Sequence, residues 1–84
     1  MNYNLHPIKF KVGNTNFCIE ERIQRDNNIK WAIVDKTYNN MVLTKGLYPI
    51  YEPLPSSRDE EYLNFTRFDT IEDAVDTIKK YYMR

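Results

Sequence analysis

The sequence predicts an α+β fold: an antiparallel β-sheet of about four or five strands, connected as a meander and packed against one C-terminal α-helix. Three observations carry this. A two-residue apolar alternation recurs through the first half of the chain, the loops between the alternating runs are too short for crossover connections, and near the C-terminus the apolar period changes to three and four residues. With 84 residues, the chain is read as a single domain, residues 1–84, which buries roughly 60 to 65% of its unfolded surface and leaves one small core.

Ile8-Lys9-Phe10-Lys11-Val12 alternates apolar with charged and places Ile8, Phe10 and Val12 on one strand face. Gly13-Asn14-Thr15-Asn16 supplies turn residues, and Phe17 to Ile23 resumes the alternation as the second arm of a hairpin. Glu21 falls on the inward parity, so a bulge is expected near Glu20 to Arg22. After the polar turn Arg25 to Asn28, Ile29 to Val34 is the most apolar run and reads as a central strand, with Trp31 as core anchor. Asp35 to Asn40 turns again, and Met41 to Thr44 pairs back.

Ile71, Ala74, Val75, Ile78 and then Tyr81 or Tyr82 form one apolar stripe on a helix from about Ile71 to Met83. Asp69 or Thr70 can cap it, each with an acid three residues on. Glu61 to Phe68, rich in β-formers, is expected as a last strand, with Leu63 and Phe65 inward, and Asp59 to Glu61 as its solvated approach. The expected core is Phe10, Phe17, Ile19, Trp31, Ile33, Leu43, Leu63, Phe65, Ile71, Val75 and Ile78. Lys45 to Glu60 has no clear period, and a loop that long in so small a domain usually serves a function.

Twelve basic and twelve acidic side chains cancel, so no long-range field steers nucleic acid or an anionic membrane. Seven Tyr, four Phe and one Trp argue against disorder. The single cysteine, Cys18, cannot form an internal disulfide, and MNYNLHPIKF has neither a basic n-region nor an apolar h-region. A cytoplasmic location with no export signal and no membrane span is therefore expected. Asn, Ile, Lys, Tyr and Phe are abundant while Ala and Gly are scarce, the mark of an AT-rich source genome.

The same inventory speaks against catalysis and against a cofactor. One histidine, His6, and one cysteine cannot build a triad or a clustered metal site, and Gly13 and Gly46 stand too far apart for a phosphate-cradling loop. Asp59-Glu60-Glu61 and Glu20-Glu21 are read as solvated acids, and Cys18 as a small hydrophobe.

Gly46 to Pro55 is different, combining five large apolar residues with three prolines. Prolines discourage regular pairing, so this segment is expected to be extended and stiff, and to lose little entropy on binding. Leu47, Tyr48, Ile50, Tyr51, Leu54 and, just beyond, Arg58 form the candidate partner-binding set. Tyrosines supply hot-spot surface, and the arginine can engage a carboxylate or phosphate. Leu47, Ile50 and Leu54 could equally fold down over an open end of the sheet. The alternative is a nucleic-acid-binding module whose sheet face presents Lys9, Lys11, Arg22 and Lys30, disfavoured by the zero net charge and the interleaved acids. A second copy pairing with an exposed edge strand would give a homodimer.

The succession KWAIVDKTYNNMV, PLPSSRDEEY and TRFDTIEDAVDTIKKYY resembles small single-domain accessory proteins of bacteriophages and other mobile elements. The likeness spans Trp31 to Tyr82. It implies a non-enzymatic role in which a host protein, such as a defence or nucleic-acid-processing enzyme, is inhibited by stoichiometric binding.

Overall fold

The structure, a computed structural model, describes residues 8–38 and 40–84; His6 and the first residues, and Asn39 in the third turn, lie outside the described residues. Five strands, β1 (Lys9–Lys11), β2 (Phe17–Ile23), β3 (Ile29–Asp35), β4 (Met41–Leu43) and β5 (Pro49–Tyr51), form one sheet in the order β1-β2-β3-β4-β5. All neighbours are antiparallel, so the sheet is a meander. A 3₁₀ turn (Pro55–Ser57), a short helix α1 (Glu60–Thr66) and the C-terminal helix α2 (Ile71–Met83) complete the α+β fold.

Alternation divides the sheet residues between two faces. Phe17, Ile19, Ile33 and Leu43 point to the α2 side, where Phe68, Ala74 and Ile78 close the main core. The other face carries a smaller cluster, Cys18, Ala32, Val34 and Val42, with Ile50 against it. Burial of each Ile, Leu or Phe contributes about 1.5–3 kcal/mol, so the α2 side dominates stability. Tyr81 meets Phe17 edge-on at 5.3 Å. Tyr82 faces outward, and its hydroxyl accepts the Asn16 N–H at 2.9 Å, tying the end of α2 to the β1–β2 turn.

Local chemistry sets the turns. At β2–β3, Asn27 takes the left-handed conformation (φ 68°), which asparagine tolerates well. At β3–β4, Asp35 Oδ1 accepts the N–H groups of Thr37 and Tyr38. At β4–β5 the left-handed residue is Leu47 (φ 68°), not the neighbouring Gly46. Gly46 is needed for space, since a Cβ there would lie 2.8 Å from Tyr48 Cε2 and 3.0 Å from Phe65 Cζ. Of the two candidate caps for α2, Thr70 is used: its Oγ1 accepts the Asp73 N–H at 3.0 Å.

Four expectations need correction. Glu61 to Phe68 is not a strand: Asp59 caps the Tyr62 N–H at 2.8 Å and a helix runs to Thr66, after which Phe68 alone bridges Trp31. Asp59 to Glu61 is thus the start of a helix, where acids complement the dipole. No bulge interrupts β2, whose register with β3 runs unbroken from Phe17↔Asp35 to Ile23↔Ile29; Glu21 stays on the inward face opposite Trp31. Trp31 is only half-buried, packed at the margin of the core against Phe10. The fifth strand comes from the proline-rich segment, because Pro49 sits at the strand start on a sheet edge, where a missing N–H breaks no ladder.

A candidate binding surface around Glu52

The segment following β5 is fixed by one carboxylate. The Glu52 N–H bonds to Asn40 O at 2.7 Å, extending the β5 alignment by a residue. Its side chain, 8% exposed, then turns onto the face opposite α2. Arg22 Nη1 donates to Glu52 Oε1 at 2.6 Å, and Arg67 Nη2 donates to Oε2 at 2.5 Å. The Tyr62 hydroxyl donates to Oε2 at 2.9 Å, and Arg58 Nη2 stands 3.5 Å from Oε1.

The four partners come from β2, from the turn between the 3₁₀ segment and α1, from α1 itself, and from the residue that ends α1. Burial opposes ionisation of Glu52, but the hydrogen bonds and charges of Arg22 and Arg67 outweigh it and hold the carboxyl down at about 2. Burial pushes Arg67 below its ordinary range, and the facing charge of Arg22 adds to this. Burial and the bond to Glu52 raise the Tyr62 hydroxyl.

With the backbone pinned at Glu52, its neighbours face water. Tyr51 is 74% and Leu54 76% exposed. Arg58 Nε donates to Pro53 O at 2.8 Å, which bends the chain between Pro53 and Arg58 into a closed loop that holds Leu54 outward. Tyr48, half-exposed, leans on Phe65 with ring centroids 5.9 Å apart.

The structure therefore divides the six residues singled out in the sequence. Tyr48, Tyr51 and Leu54 offer side chains to solvent; Leu47 is the half-buried turn residue; Ile50 covers Val42 on the sheet; and Arg58 is drawn inward to Pro53 and Glu52. Glu52 itself was not singled out. Nothing local marks it, since its partners lie up to thirty residues away.

Lys9, Lys11, Arg22 and Lys30 do share one sheet face, as the pairings Lys9↔Glu20, Lys11↔Cys18 and Arg22↔Lys30 require. Among the described residues, two of the four are engaged. Arg22 bonds Glu20 as well as Glu52, and Lys30 pairs with Asp69, leaving Lys9 and Lys11 exposed.

β5 is a poor template for strand addition. Thr44 N–H to Tyr48 O and Glu52 N–H to Asn40 O direct residues 48 and 52 toward β4, so the backbone groups of Pro49 and Tyr51 point away. Pro49 has no N–H, and Tyr51 supplies the one outward donor of the strand.

Comparison with known proteins finds no family model, no curated protein and no solved structure that matches this chain. Among the described residues no helix is long and apolar enough to cross a membrane.

Proposed function

We propose that this protein is a small non-enzymatic protein-binding module that engages its partner through the exposed side chains of Tyr48, Tyr51 and Leu54. The observation that carries the reading is the contrast around Glu52: a carboxylate held by three arginines and a tyrosine, flanked by two large apolar side chains in water. Side chains displayed from an immobilised backbone lose less entropy on binding, and tyrosine is enriched at hot spots. The resemblance to phage accessory proteins extends this to stoichiometric inhibition of a host defence or nucleic-acid-processing enzyme in the cytoplasm.

Affinity capture from the source cell with wild-type protein and with a Tyr51→Ala, Leu54→Ala double variant tests it. The partner recovered by wild type should be lost from the variant. Recovery at undiminished affinity would remove this surface from the reading.

The shared face of Lys9, Lys11, Arg22 and Lys30 supports a second reading, nucleic-acid binding. It requires affinity for DNA or RNA that falls steeply with salt. Absence of binding at low salt ends it.

A further inference from the structure

Beside the Glu52 centre lies a cavity of about 150 Å³ lined by Arg22, Arg25, Arg58 and Arg67, together with Pro55 and Leu63. Among the described residues, two carboxylates pair with these arginines: Glu52 with Arg22, Arg58 and Arg67, and Glu20 with Arg22. The lining thus holds two more positive charges than its paired acids cancel. Arg25 is exposed and joins neither carboxylate.

An independent observation concerns Arg67. Its Nη1 donates to Thr66 Oγ1 and its Nη2 to Glu52, but its buried Nε–H has no hydrogen-bond partner among the described residues, and the residue is only 3% exposed. A buried, unmatched guanidinium donor is costly unless water or an anion that reorients the side chain completes it.

We propose that this cavity is an oxyanion site that takes a phosphate group. Phosphate carries about −1.5 to −2 charges near neutral pH, which matches the local excess, and its tetrahedral oxygens suit guanidinium donors arriving from several directions. The volume accommodates one such group with water. Asp26, Asp59 and Glu60 line a neighbouring hollow that Arg25 and Arg58 share; the three acids are exposed, as Arg25 is, so water weakens their pull on the cavity.

The test uses the full chain alone and is independent of any protein partner. Inorganic phosphate is titrated at constant ionic strength while arginine Nε–H signals are followed by NMR, with chloride and acetate as comparison anions. The Arg67 and Arg25 signals should shift saturably at millimolar phosphate, with Arg84 unmoved. Arg25→Ala, which breaks no ion pair to Glu52, should weaken phosphate binding about tenfold or more at unchanged melting temperature. Shifts that do not saturate, an equal response to chloride, or wild-type phosphate affinity in Arg25→Ala would each overturn the site. Acetate binding as tightly as phosphate would overturn the assignment to phosphate.

Discussion

Arg67 Nη2 donates to Glu52 Oε2 at 2.5 Å, and the two side chains are 3% and 8% exposed. Removing one member of such a pair strands the other charge in the interior, at a cost of about 3–5 kcal/mol. Glu52→Ala should lose that much in urea unfolding. A loss below about 1 kcal/mol, the range of exposed pairs, would contradict the central role given to this carboxylate.

The same carboxyl makes stability depend on acid. Its folded pKa of about 2 lies below the ordinary 4.5, so it stabilises the fold above the ordinary value and ceases to do so as pH falls through the folded one. The contribution is on the order of 3 kcal/mol. Denaturant midpoints should therefore drop between pH 4.5 and 2, and Glu52→Gln should flatten that decline. A variant with the wild-type acid profile would assign the effect elsewhere.

Much of the fold was legible because its determinants are local. The alternation of Phe17 to Ile23 and of Ile29 to Val34 fixed strand faces, and Thr70 with the stripe Ile71, Ala74, Val75, Ile78 fixed α2. Glu61 to Phe68 misled because Tyr62, Phe65, Thr66 and Phe68 favour strands, while the decisive signal, Asp59 followed by two glutamates, is a helix-start pattern. The site was half legible. Proline and tyrosine enrichment drew attention to residues 47–58, but the centre at Glu52 depends on Arg22 and Arg67, which only folding brings near.

Gly46 and Tyr48 should prove coupled. Gly46→Ala puts a methyl group against the Tyr48 and Phe65 rings, an overpacking expected to cost about 1–3 kcal/mol. Tyr48→Ala removes the nearer ring, so in that background the same change should cost clearly less. A double-mutant cycle with no interaction energy would refute this contact.

Surface and core substitutions should separate sharply. Leu54→Ala and Tyr51→Ala remove exposed groups and should stay within about 0.5 kcal/mol of wild type, whereas Ile78→Ala opens the core beneath α2 and should cost about 2–5 kcal/mol. Thermal or urea melts suffice. A large loss in Leu54→Ala would mean that its side chain supports the fold and is not held in reserve for a partner.

The geometry at Glu52 also bears on how the sequence can drift over generations. One acid answers to Arg22, Arg58, Tyr62 and Arg67, residues drawn from separate parts of the chain. A lone replacement at position 52 leaves several cations unmatched, while replacing any one arginine still leaves others in place. Replacing Glu52 therefore unbalances more of the site at once than replacing any one of its four partners does.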